Sequence, residues 1–91
     1  MSSIYGDALV EKGQAVASKA DFVDFAKALA QNLHDHPEEW ENASLQEFLQ
    51  GLVGFVENME GYYQNIGVTV DLQNPGWRVF ADILLAARVY E

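Results

Sequence analysis

The strongest constraint on the fold is a helix-start signal at Ser44 and Glu47, followed by apolar residues at helical spacing up to Tyr63. In such a pair the serine hydroxyl accepts a hydrogen bond from the glutamate amide, and the carboxylate reaches back to the serine amide. The following residues predict one long apolar stripe: Leu45, Phe48, Leu49, Leu52, Val53, Val56, Met59 and Tyr63. Gly67 predicts the end of this helix.

An earlier helix is predicted by a similar start signal at Ser18 and Asp21. Apolar residues recur at helical spacing behind this pair. Because Pro37 disfavours helical geometry in the residue before it, the helix should end there or just before. We therefore predict a helix over residues 19–35.

A third helix is predicted to begin at Asn74 as the N-cap, with Pro75 in the first helical position, where its missing N–H is not needed. This helix is apolar on almost every side and should run nearly to Glu91. It is therefore either central in the core or shares one face with a second subunit, which leaves a homodimer open. Gly51 and Gly54 in the preceding helix predict the close approach of another helix.

These patterns predict one small all-α domain with three main helices in residues 18–91. Residues 1–17 are interpreted as a variable extension, with a short helix or strand as alternatives to a loop. A chain of 91 residues makes one domain at most.

The absence of cysteine excludes disulfides and thiolate zinc sites, and it is compatible with the cytoplasm, where we expect the protein. No segment has the ~18 continuous apolar residues that a membrane span needs.

The charge of the chain is strongly negative, with 14 acidic against 5 basic residues and a net charge of −9. Such a surface repels the phosphates of nucleic acids and anionic lipid headgroups, so we expect neither as a partner. A basic protein is the electrostatically favoured partner. The alternative is that the charge serves solubility alone.

Catalytic chemistry is poorly supported by the sequence. The chain has no cysteine and no G-x-S-x-G motif, and its serines lie where helix caps are needed. We therefore predict neither an enzyme nor a bound cofactor.

His34 and His36 lie among acidic residues that could hold a metal, but they lack the spacing of a known metal motif. The alternative is a solvated helix end, where histidines interact favourably with the helix dipole.

The predicted partner-binding residues are aromatic and acidic residues at or near the predicted helix ends: Glu38, Glu39, Trp40, Glu41, Glu60, Tyr62, Tyr63 and Trp77. Tryptophan and tyrosine are common interface anchors, and acidic residues speed the encounter with a cationic partner. The alternative is that the aromatic residues close the ends of a small core, with their polar atoms hydrogen-bonded inside it.

Three stretches carry a resemblance to a known family: PEEWEN at 37–42, GYY at 61–63, and P-x-W at 75–77 followed by LLAA-x-x-YE at 84–91. Together they resemble a family of short bacterial proteins classed only as a domain of unknown function, over residues 18–91. The resemblance implies a small bacterial fold and assigns no catalytic residue.

The function we expect is a small acidic protein-interaction domain. Its most concrete version is an immunity-type inhibitor that occludes a basic partner, by analogy of size and charge. The alternative is a small-ligand or metal-binding domain that uses the aromatic loops and His34 with His36.

Overall fold

Four α-helices and one short 3₁₀ helix form the computed structural model, which describes residues 4–90, with side chains from residue 8 onward. The α-helices are α1 (Ile4–Gln14), α2 (Lys19–Asp35), α3 (Leu45–Asn65) and α4 (Trp77–Ala87), and the 3₁₀ helix spans Pro37–Glu39. No strand occurs within residues 4–90, so the all-α prediction is confirmed. In the same range, no helix is both long and apolar enough to cross a membrane.

Both predicted serine caps are present. The Ser18 hydroxyl accepts the amide of Asp21 at 3.1 Å, and α2 covers the predicted residues. The Ser44 hydroxyl accepts the amide of Glu47 at 3.2 Å. The return bond of the second pair differs from the prediction, because the Ser44 hydroxyl itself donates to Oε1 of Glu47 at 2.9 Å.

The end of α3 is set by Gly67, as predicted. Its φ of 71° lies in the left-handed region, where a residue with a Cβ would be strained. The amide of Val68 then donates to the carbonyl of Tyr63 at 3.0 Å, and the amide of Gly67 donates to Gln64 at 3.2 Å. These two bonds form a Schellman motif, which satisfies carbonyls that the helix leaves open.

The predicted start of α4 is wrong by two residues. Its N-cap is Gly76 rather than Asn74, and its first residue is Trp77. Asn74 instead closes a turn that begins at Asp71, since its amide donates to the Asp71 carbonyl at 3.2 Å. The amide of Gln73 also donates to Oδ1 of Asp71 at 3.0 Å. This local bonding holds the segment outside the helix.

The C-terminal end of α4 also differs from the prediction, because the helix stops at Ala87. Nδ2 of Asn42 donates to the carbonyls of Ala87 at 3.0 Å and Tyr90 at 2.8 Å. These carbonyls are thus bound by a side chain from the α2–α3 connection. The predicted close approach at Gly51 is confirmed, since a Cβ there would lie 2.7 Å from the Ala87 oxygen.

The N-terminal segment is a helix, and the strand alternative is wrong. Its contact with the rest of the molecule depends on Gly13. A Cβ at this position would lie 2.6 Å from Cδ1 of Leu85 and 3.1 Å from Cε1 of Phe25. Glycine therefore lets α1 pack closely against α2 and α4.

Helix α4 is central, because it packs against α1, α2 and α3. One core cluster lies among α1, α2 and α4 and comprises Leu9, Val16, Phe25, Leu29, Trp40, Ala81 and Leu85. The other lies between α3 and α4 and comprises Phe55, Met59, Tyr63 and Val79. The nearly all-apolar composition of α4 is thus explained by its central position.

The apolar stripe predicted on α3 is present but only partly covered, and its uncovered part forms a second, exposed face. Gly51, Phe55, Met59 and Tyr63 are buried. Leu45, Leu49, Val53 and Val56 are exposed. The physical reason is that α4 is the one helix in the described residues against which α3 packs extensively, so the second face stays uncovered.

Candidate functional site

Helix α3 has a row of exposed apolar side chains along one side. Leu45, Leu49, Val53 and Val56 follow one another at spacings of four, four and three residues, which places them on one side of the helix. Their exposed fractions are 74%, 49%, 54% and 38%. We call these four residues the α3 outer face; they extend over about 17 Å of helix. Contiguous exposed apolar surface of this kind marks interaction sites.

The ends of the α3 outer face are acidic. Exposed glutamates flank it along the chain, with Glu41 before the face and Glu57 and Glu60 after it. Glu47 lies within the same stretch but on a different side of the helix, two residues from both Leu45 and Leu49. Glu57 and Glu60 each lie one helical turn beyond a valine of the face. No lysine or arginine occurs between Lys27 and Arg78, so α3 itself carries no base. The face therefore combines an apolar centre with uncompensated negative charge.

Trp40, one of the predicted partner-binding residues, is part of the core, with 8% of its surface exposed. Its indole Nε1 donates to Oδ1 of Asn32 at 2.7 Å, and its ring stacks on Phe48 at a centroid distance of 5.8 Å. Cζ of Arg88 lies 5.8 Å from the ring centroid on another side. The neighbouring Glu38 and Glu41 are exposed, and Glu39 is half-buried.

Tyr62, Tyr63 and Glu60 lie near the other end of α3, which is about 30 Å long. Tyr63 is buried, and its hydroxyl donates to Oδ2 of Asp82 at 2.7 Å. Burial and this hydrogen bond to a carboxylate raise the pKa of Tyr63 above its ordinary value. Tyr62 is 44% exposed and Glu60 is exposed. This group is therefore separated from Trp40 by most of the length of α3.

Trp77 lies in a third place, at the start of α4. Its ring is 5.5 Å from that of Phe22 and 6.0 Å from that of Phe80, measured between centroids. It is 39% exposed. Two of the eight predicted residues, Trp40 and Tyr63, are thus core residues, and Trp77 packs against Phe22 and Phe80.

The two histidines do not share a site. His34 has an 83% exposed side chain and pairs with Asp35 at 3.0 Å. This hydrogen bond, together with one from Gln31, lowers the pKa of Asp35. His36 instead lies with Glu38 and Glu39, where one potential ligand atom of each falls within 4.8 Å of the others.

A groove that the sequence did not predict lies over α4, between α1 and α3. We call it the α1–α3 groove; it is open to solvent and has a volume of about 760 Å³. Its lining includes Gln14 of α1, Tyr62 of α3, and Arg78 with Arg88 from the C-terminal region. One indication of this groove was present in the sequence: Arg78 and Arg88 are the only lysine or arginine residues after Lys27. That both arginines line one groove could not be inferred, because the sequence did not predict α1, which forms one wall of the groove.

Residues 18–91 match a family of unknown function, DUF7660. The chain belongs to this family. The predicted resemblance to a family of unknown function is thereby confirmed, and the description of DUF7660 names no enzymatic activity. Neither a curated protein nor a solved structure matches the chain. The DUF7660 match begins after α1, although α1 supplies Leu9 to the core.

Proposed function

We propose that this DUF7660 protein is a protein-interaction domain whose α3 outer face binds a basic amphipathic segment of a partner protein. The observation that carries the proposal is the row of four exposed apolar side chains on α3 with glutamates at both ends. Partner helices commonly place apolar anchors at spacings of three and four residues on such faces. The spacing of the α3 residues is suited to that arrangement.

The apolar centre supplies the affinity. Full burial of a leucine or valine side chain stabilises a complex by roughly 1.5–3 kcal/mol, and part of that gain offsets the cost of association. Leu45 is the most exposed of the four and Val53 the next. These two side chains have the largest exposed fractions on the face.

The acidic ends select the partner. A second copy of the chain would bring a second acidic helix against Glu57 and Glu60, with no lysine or arginine on α3 to offset the repulsion. A basic partner would instead gain attraction at both ends of the face. An immunity-type inhibitor that occludes a basic site on another protein is the most concrete version of this proposal.

The test is affinity capture from extracts of the native cell at low and moderate salt, read by mass spectrometry. The bait proteins are the wild type, Val53→Asn on the α3 outer face, and Val23→Asn as the control. Val23 is 42% exposed and lies on α2, away from the proposed interface. We expect a basic protein to be captured by the wild type and by Val23→Asn, and lost with Val53→Asn. Identical captured proteins for all three baits would contradict the proposal.

Metal binding is a second candidate, favoured by the convergence of His36, Glu38 and Glu39. A divalent cation that binds only the folded protein must raise its melting midpoint. We expect Zn²⁺ to raise the midpoint of wild type and His34→Gln, and to have no effect on His36→Gln. An equal shift in both variants, or no shift in the wild type, would exclude this site.

A further inference from the structure

The α1–α3 groove has the size of a small-molecule site. Its volume of about 760 Å³ falls within the roughly 300–1,000 Å³ that is typical of ligand pockets. Phe55 and Tyr62 form its α3 wall, Val10 contributes from α1, and Leu85 and Val89 lie along α4 and its end. These apolar side chains form part of the lining and suit the body of an organic ligand.

The charge of the groove is opposite to that of the whole protein. Among the described residues that line it, the charged ones are Arg78, Arg88 and Asp82, which gives two positive charges against one negative and a net of +1. The whole chain has a net charge of −9 and only five bases. Two of those five bases thus line one groove, which makes it more favourable to an anion than the acidic remainder of the surface.

The two arginines that line the groove are separated along α4. They are ten residues apart on α4 and its end, which corresponds to about 15 Å along the helix. Arg78 has a 44% exposed side chain; its Nε contacts Oδ1 of Asp82 at 3.2 Å, and its Nη1 donates to the carbonyl of Gln14 at 3.1 Å. These bonds hold the guanidinium in place while leaving much of it open to solvent.

Arg88 is 8% exposed, and its Nε donates to the carbonyl of Leu85 at 3.1 Å. Burial lowers the pKa of Arg88, and the charge of Glu39 opposes that effect. A guanidinium in such a low-dielectric position interacts more strongly with an anion than one in water does. Its planar donors also match the geometry of a carboxylate or sulfonate.

We propose that the α1–α3 groove binds a small organic anion, with its acidic group at Arg78, additional positive charge from Arg88, and its apolar body over Phe55, Leu85 and Val89. This site is distinct from the α3 outer face, and it involves a different class of ligand from the basic segment proposed there. An acidic carboxylate or sulfonate attached to an aromatic or aliphatic body has the required chemistry.

The test uses 1-anilinonaphthalene-8-sulfonate, an aromatic sulfonate whose fluorescence rises when it binds in an apolar site. We expect saturable binding to the wild type and about tenfold weaker binding to Arg78→Gln, the loss that is typical for a charge-assisted hydrogen bond. Lys27→Gln is the matched control, because it removes one positive charge from α2 outside the groove. Arg78 is preferred over Arg88 for this purpose because replacing Arg88 would also remove its contact with Trp40.

A steric pair of variants tests the location. Gly61 lines the groove, and a Cβ there would meet nothing within 4 Å. We expect Gly61→Phe to weaken binding of the dye and Gly61→Ala to retain it. The proposal is overturned if the wild type does not bind the dye, if Arg78→Gln binds as tightly as Lys27→Gln, or if Gly61→Phe binds as the wild type does. It is equally overturned if Val53→Asn, on the α3 outer face, abolishes binding.

Discussion

At the residue scale, Asn42 joins the C-terminal segment to the connection between α2 and α3. Its backbone amide donates to the carbonyl of Arg88 at 2.8 Å, and its side-chain amide donates to Ala87 and Tyr90. These carbonyls follow the last turn of α4 and would otherwise need water or another donor. A single residue, through its backbone and its side chain, therefore satisfies carbonyls at the end of the central helix and holds that end beside α3.

The close approach at Gly51 gives the first prediction. A Cβ there would lie 2.7 Å from the Ala87 oxygen and 3.0 Å from the Tyr90 oxygen. We expect Gly51→Ala to lower the free energy of unfolding by about 1–3 kcal/mol, because backbone atoms must move to admit the methyl group. Gly61→Ala is the control, and we expect it to raise stability by up to about 1 kcal/mol because its Cβ meets open space. Urea unfolding measures both, and equal effects would contradict this account.

Tyr63 predicts a loss of stability in alkali. Because its folded pKa is raised, the tyrosine contributes full stability below its unfolded pKa of about 10, and that contribution is lost as pH rises towards the folded value. We expect the free energy of unfolding of wild type to fall more steeply above about pH 10 than that of Tyr63→Phe, by up to about 1.4 kcal/mol per pH unit. Parallel pH profiles for the two proteins would show that Tyr63 does not titrate differently on folding.

At the element scale, start and stop signals were predictable where the decisive bonds are local. Ser18, Ser44 and Gly67 act through atoms within five residues, and all three were read correctly from the sequence. The start at Asn74 was predicted wrongly because Asp71 bonds that segment into a turn. The division of the α3 stripe was also missed, since it depends on how much of α3 is covered by α4, which only the tertiary packing determines.

Helix α1 shows how much an element outside the family match contributes to stability. Leu9 and Val16, from α1 and the connection after it, are 5% and 4% exposed and join the main core cluster. We expect deletion of residues 1–17 to lower the free energy of unfolding by roughly 3–6 kcal/mol, since each such side chain contributes about 1.5–3 kcal/mol. The control is Glu11→Gln, on the exposed side of α1; we expect it to leave the free energy of unfolding unchanged. A truncated protein that unfolds at the same urea concentration would contradict this role.

At the scale of the whole molecule, the distribution of charge separates two surfaces. No lysine or arginine lies between Lys27 and Arg78, and this region includes all of α3. The α1–α3 groove, by contrast, has a net positive lining. The acidic balance of the chain could be predicted from the sequence, and a basic partner stays a prediction. It could not predict the groove, because Gln14, Tyr62 and Arg88 come together only through the packing of three helices.

Salt dependence follows from the same charge distribution. Attraction between the exposed glutamates and a cationic segment is screened over about 8–10 Å at physiological ionic strength. We therefore expect association at the α3 outer face to weaken as salt rises, while its apolar contribution persists. Titration calorimetry at several salt concentrations measures this, and affinity independent of salt would argue against a role for Glu57 and Glu60.

The most direct test of the central claim is an NMR titration of ¹⁵N-labelled protein with a synthetic leucine–lysine peptide that is amphipathic as a helix. We predict chemical-shift changes concentrated at Leu45, Leu49, Val53 and Val56, and their loss in Val53→Asn. A matched leucine–glutamate peptide should produce none. Changes confined to other helices, or equal binding of both peptides, would contradict the assignment of the α3 outer face as the binding surface for a basic partner.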